Sequence, residues 1–120
     1  MPNANAIVWC DIPVKDLDRA VKFYTDLLGK KVTKEAFGEM KIGLLPHEGE
    51  SAGGCLILNE KPSADGPMIY LNCDQRLDPA IASVEKNGGR VLQPKHQIGP
   101  HGFRAIVLDS EGNRIALHSK

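Results

Sequence analysis

The stretch DLDRAVKFYTDLLGKKV, Asp16 to Val32, constrains the fold most, because it is one half of an internal repeat. Its apolar residues Leu17, Ala20, Val21, Tyr24, Leu27 and Leu28 recur in steps of three and four, which puts them on one side of a helix. Asp16 is placed to cap the start. Gly29 can take the left-handed conformation that ends it, and Lys30 and Lys31 follow where the helix dipole favours positive charge. A strand-like run, IVWCDIPV, precedes the helix and another strand opens at Val32. Sixty residues on, Leu77, Asp78, Ala80, Ile81 and Gly89 repeat Leu17, Asp18, Ala20, Val21 and Gly29. The second helix, Arg76 to Asn87, again lies between strands, Met68 to Cys73 and one opening at Val91. A unit repeated at half the chain length implies two copies that bury their apolar faces together.

At 120 residues the chain is one domain, expected as module one over 1–60 and module two over 66–120. The formal charge is zero with both signs interspersed, so no basic stripe points to nucleic acid. No apolar run reaches membrane-span length, and MPNANAIVW lacks the features of a signal region, so a cytoplasmic protein is expected. Cys10, Cys55 and Cys73 are odd in number, lack CxxC spacing and sit in apolar runs, as reduced core thiols do.

The remaining elements follow from turn signals. The first strand is Ile7 to Ile12, closed by Pro13. Strands at Val32 to Ala36 and Met40 to Leu45 flank a turn at Gly38. Pro46 to Gly54 is a glycine-rich loop, Cys55 to Leu58 a short strand, and Glu60 to Pro67 a linker. The second module continues with a strand at 90–93, the loop PKHQIGPHG, a strand Phe103 to Leu108, the turn DSEGN and a strand Arg114 to His118. Each module therefore reads βαβββ, an α+β pattern.

The strand IVWCDIPV, the helices DLDRAVKFYTDLLGKKV and RLDPAIASVEKNGGRV, and the hairpin VLDSEGNRIALHS resemble the vicinal oxygen chelate superfamily. That group contains glyoxalase I, extradiol dioxygenases and the fosfomycin- and bleomycin-resistance proteins. W-x-D-I-P-V and the closing I-G-P-x-G-F and D-S-E-G-N-R-I-A-L-H-S resemble a bacterial subgroup described as related to lactoylglutathione lyase. The resemblance implies two βαβββ modules forming a curled mixed sheet, a cup with helices outside, and a homodimer. It also implies metal ligands, mostly His and Glu, on the first and last strands of each module. Carried onto this chain, those positions hold Trp9, Ile57, Met68 and Ala116, none a credible ligand for a hard or borderline divalent ion. No metal and no other cofactor is therefore expected, unless a divalent metal has moved to Asp11 and His118.

Period-two alternation turns Ile7, Trp9 and Asp11 into the cup, with Met68, Tyr70 and Asn72 and with Arg114, Ala116 and His118. Trp9, Asp11, Met68, Tyr70, Asn72, Phe103 and His118 are the candidate ligand-binding residues, and no catalytic residue is assigned. Arg104 is expected on the opposite face as a surface charge, and His47, Lys95, His96 and His101 as solvated loop residues. Three functions fit: a metal-free protein binding a small, partly apolar molecule; a lyase or isomerase of glyoxalase type on a small oxygenated metabolite; or an interaction module with a filled cup. The chain has no G-x-S-x-G, phosphate loop or dinucleotide fingerprint.

Overall fold

The computed structural model describes residues 6–49, 52–58 and 61–120. Parts of the expected loop Pro46 to Gly54 and the first residue of the linker lie outside the described residues. The first module runs β1 (Trp9–Val14), α1 (Leu17–Leu28), β2 (Thr33–Phe37), β3 (Met40–Leu44) and β4 (Gly53–Leu58). The second runs β5 (Ile69–Asn72), α2 (Leu77–Lys86), β6 (Arg90–Gln97), β7 (Phe103–Leu108) and β8 (Arg114–Ser119), with a short 3-10 turn at Gly99–His101. The two sheets have matching orders, β1-β4-β3-β2 and β5-β8-β7-β6. In each, the first and last strands pair in parallel and the remaining pairs are antiparallel. The α+β fold with paired βαβββ modules is thus the one the sequence pattern predicts.

The helix signals act as expected. Asp16 accepts a hydrogen bond from the Arg19 N–H at 3.0 Å, and Gly29 sits at φ 67. Leu17, Ala20, Tyr24 and Leu27 are buried, with Val21 and Leu28 packed beside them. Phe23, outside the expected stripe, is buried too, in edge contact with Tyr24. A Cβ on Gly89 would come within 2.8 Å of Phe23, so the exit from α2 closes tightly over α1. The repeat is offset by one between strand and helix. Ile12 and Val14 of β1 correspond in burial to Leu71 and Cys73, 59 residues on, whereas the helices match at 60. Gln75 takes up the extra residue in the left-handed region, at φ 64.

Two strands differ from expectation at their prolines. β1 continues through Pro13 to Val14, and β6 runs to Gln97 through Pro94. Both are edge strands, where a missing N–H breaks no ladder on the open side. The β6 register shifts twice between Val91 and His96, which accommodates the proline.

One core serves both modules. It joins Ile12, Val14 and Leu56 of the first sheet, Leu71, Val107, Ile115 and Leu117 of the second, and the apolar faces of α1 and α2. Each sheet turns one face toward this shared core and the other away from it.

A buried polar junction locks the modules together. Asp109, Glu111 and Asn113, in the turn between β7 and β8, are the buried polar residues of the described chain. Asp109 accepts the Tyr24 hydroxyl at 2.5 Å and the N–H groups of Glu111 and Asn113. Asn113 donates to the Pro13 carbonyl at 2.7 Å. The DSEGN segment is a hairpin turn, as read from sequence, and also the hinge-pin between modules.

Candidate functional site

Strand register decides which side chains lie on the faces turned from the core. In the first sheet Trp9 pairs with Gly53, Asp11 with Cys55 and Pro13 with Ile57, while Ile42 pairs with Ile57 and Leu44 with Cys55. Neighbouring Ile12, Val14 and Leu56 enter the core, so these partners form the outer face. Trp9 is 43% exposed there. Its indole N–H donates to Asp11 at 3.1 Å, and its ring meets His47 edge-on at 6.0 Å between centroids. The Cys55 thiol also donates to Asp11, at 3.3 Å. Burial, with the hydrogen bond to Asp11, pushes that thiol up to about 11. Cys55 is therefore a neutral donor, not a nucleophile or soft-metal thiolate.

In the second sheet Tyr70 pairs with Ala116 and Asn72 with His118, with Leu71, Ile115 and Leu117 on the core side. Met68 lies half-buried just before β5. Tyr70 is 47% exposed and meets the His118 ring at 6.4 Å between centroids. His118 Nε2 hydrogen-bonds the His101 carbonyl at 2.7 Å, which ties the last strand to the loop over it.

Two placements differ from the sequence reading. Phe103 pairs with Ser119 and shares its strand face with Ala105 and core residue Val107, so it lies on the helix side. There it lines a cavity of about 270 Å³ with Gln75, Arg76, Leu77 and Lys95, beneath the start of α2. Lys95 Nζ sits 5.4 Å from its ring centroid. Arg104, by contrast, pairs with His118 and belongs to the outer face. Its Nη1 donates to the Tyr70 hydroxyl at 2.6 Å and its Nε to His96 Nε2 at 3.0 Å. His96 is thus part of a strand and of this cluster, not a loop histidine. The signal was present in the hairpin: closing it on DSEGN pairs even residues with even ones. His118 facing outward therefore brings Arg104 with it and turns Phe103 away.

The structure gathers Trp9 with Asp11, and Tyr70 with Asn72, Arg104 and His118. It does not bring Asp11 to His118, which stand on different sheets with their own partners. At the four positions where ligands would be expected stand the indole of Trp9, the alkyl chain of Ile57, the thioether of Met68 and the methyl of Ala116. None is a hard or borderline donor, so the set does not fit a divalent ion. Among the described residues no three His, Cys, Asp or Glu side chains gather where they could hold a metal. Nor is any described helix long and apolar enough to cross a membrane.

The relatives agree with this architecture. A glyoxylase-like domain-containing protein of Didymella fabae is 33% identical over 114 residues, covering 89% of this chain and 88% of its own. A glyoxalase/bleomycin resistance protein from Albidiferax ferrireducens T118 superposes with a TM-score of 0.75 at 18% identity, over 97% of this chain and 99% of that one. Glyoxalase I from Zea mays, in its E144Q form, superposes with a TM-score of 0.66 at 18% identity, over 93% of this chain but 46% of the maize chain. These structural likenesses carry the fold alone. The family model for the Glyoxalase/Bleomycin resistance protein/Dioxygenase superfamily matches residues 6–117, nearly every element described above, and the chain belongs to that superfamily.

Proposed function

We propose that this protein binds a small, partly apolar molecule on its outer sheet faces, without the divalent metal used by metal enzymes of its superfamily. The observation that carries this reading is the exposure of large apolar side chains on faces away from the shared core: Trp9, Met40 at 50% and Tyr70. An aromatic held half-exposed beside fixed polar groups is a pattern of ligand sites. Support for metal independence is the donor chemistry of Trp9, Ile57, Met68 and Ala116. Each sheet turns its outer face from the core, so a second copy of the chain is the partner we propose to complete the cup, and the cytoplasm is the proposed location.

A second reading, a lyase or isomerase on a small oxygenated metabolite, is favoured by the Arg104–Tyr70 pair beside His118. Such a group can stabilise developing negative charge and move a proton. The test of metal independence is elemental analysis of protein purified without a metal-affinity tag, with a thermal melt in added zinc, nickel or manganese. Less than stoichiometric metal and an unchanged melt support the reading. One metal per site with a saturable rise in Tm sinks it.

A further inference from the structure

We infer that the outer face of the second sheet is a carboxylate subsite, with Arg104 and Tyr70 as its donors and a small aryl or alkyl carboxylate as its ligand. The inference rests on the small-molecule reading above and narrows its ligand class. Asn72, His118, Arg104 and His96 form one row across all four strands, because Asn72 pairs with His118, His118 with Arg104 and Arg104 with His96. The row carries no acid.

Arg104 is half-buried, yet both its hydrogen-bond acceptors are neutral. His96 Nε2 accepts from Arg104, so the ring proton must sit on Nδ1, which donates to the Pro94 carbonyl at 2.8 Å. That tautomer is uncharged. The Tyr70 oxygen accepts from Nη1, which leaves its own O–H free to donate. No carboxylate pairs with Arg104 among the described residues, in contrast to Arg19, Lys22, Lys34 and Lys95, each bonded to an acid. A guanidinium has five N–H donors; two are engaged, and the other three have no partner among the described residues. The charge is therefore held rigidly in place and left uncompensated. A planar carboxylate matches the remaining guanidinium edge and also accepts from the phenol. Tyr70, Ala116 and Ile106 form the adjacent row, where Ala116 is the smallest side chain. Ala116 is fully buried and Tyr70 is exposed, so the apolar remainder of the ligand rests on the Tyr70 ring.

The test is a titration of the full chain with benzoate and with benzamide, its neutral counterpart of the same shape. Binding is followed through the Arg104 Nε–H and Tyr70 ring signals in NMR spectra. Benzoate is expected to shift both saturably, with benzamide at least about tenfold weaker, the cost of losing one charge-assisted pair. Arg104→Gln should remove the preference for benzoate. Tyr70→Phe, which keeps the ring, should weaken benzoate by roughly three- to tenfold. Equal binding of the two probes, retained in Arg104→Gln, overturns the carboxylate assignment while leaving a small-molecule site in place. Inorganic phosphate displacing benzoate at equal affinity overturns the carboxylate class. The absence of any benzoate shift overturns the subsite itself, whichever way retention of a natural ligand turns out.

Discussion

Glu111, in the turn after β7, holds Arg19 of α1 in a two-pronged pair, with Nε 2.7 Å from Oε2 and Nη2 2.8 Å from Oε1. The same carboxylate accepts the backbone N–H groups of Lys15 and Asp16, each at 2.9 Å. The Glu111 side chain is fully enclosed, whereas that of Arg19 is half exposed. One acid from module two thereby fixes the strand-to-helix turn of module one. Glu111→Gln should lower stability by about 2–3 kcal/mol, since a neutral amide cannot serve two backbone and two guanidinium donors as an anion does. Urea unfolding followed by circular dichroism and by Trp9 fluorescence checks this. Both probes should shift to the same lower midpoint.

The same residue sets an acid limit. Burial alone would raise the Glu111 carboxyl, but hydrogen bonds from Arg19, Asp16, Ser110 and Lys15 outweigh it and bring the group down to about 2 from an ordinary 4.5. A folded value below the unfolded one means the unfolded chain binds the proton more readily. The stabilisation from Glu111 is therefore fully present above about pH 4.5 and is lost as pH falls toward 2. Unfolding midpoints measured between those limits should fall with pH, and the slope should flatten in Glu111→Gln.

Tyr24 gives a second check on the junction. Its ring is buried, and burial with the neighbouring Asp109 charge pushes its hydroxyl well above the usual tyrosine range. It acts only as a donor to Asp109. Tyr24→Phe should cost about 1–3 kcal/mol, because a buried carboxylate loses a donor. Tyr70→Phe, on an exposed face, should change stability by less than about 0.5 kcal/mol. Equal effects in the two variants would mean the junction is not the lock between modules that we describe.

The thiols should be inert. Burial first of all raises Cys55 and Cys73 to about 11, and Cys10 is raised for the same reason with Asp11 adding to it. At neutral pH Cys55 and Cys73 should react with iodoacetamide at least about 100-fold more slowly in the native protein than in the unfolded chain, from thiolate fraction alone. Rapid labelling of native Cys55 or Cys73 would contradict this.

The fold was legible because it rests on period and punctuation: the α1 stripe, the Asp16 cap, the Gly29 stop and the repeat in α2. Trp9, Asp11, Tyr70, Asn72 and His118 fall on the expected face because alternation holds along uninterrupted strands. The face of Phe103 and Arg104 was legible too, but only through the pairing fixed by the DSEGN turn. Alternation within one strand gives no absolute direction. Two features lay beyond sequence patterns. His96 enters the cluster because β6 bulges past Pro94, which no periodicity predicts. Glu111 and Asp109 read as turn residues, since nothing local distinguishes a solvated turn acid from one received by donors almost 100 positions away.

The central claim is that the outer faces hold a small molecule without metal. Its most direct test is to equilibrate the full chain with a small-molecule cell extract in the presence of EDTA, remove the unbound fraction, and identify what remains by mass spectrometry. Trp9→Ala is run alongside; Trp9 is the one tryptophan of the sequence, so its fluorescence reports on this face specifically. The account predicts one compound retained at about one per site by the native chain, with a change in tryptophan emission, and lost from Trp9→Ala. Retention that requires an added divalent metal, retention unaffected by Trp9→Ala, or no retained compound would each contradict it.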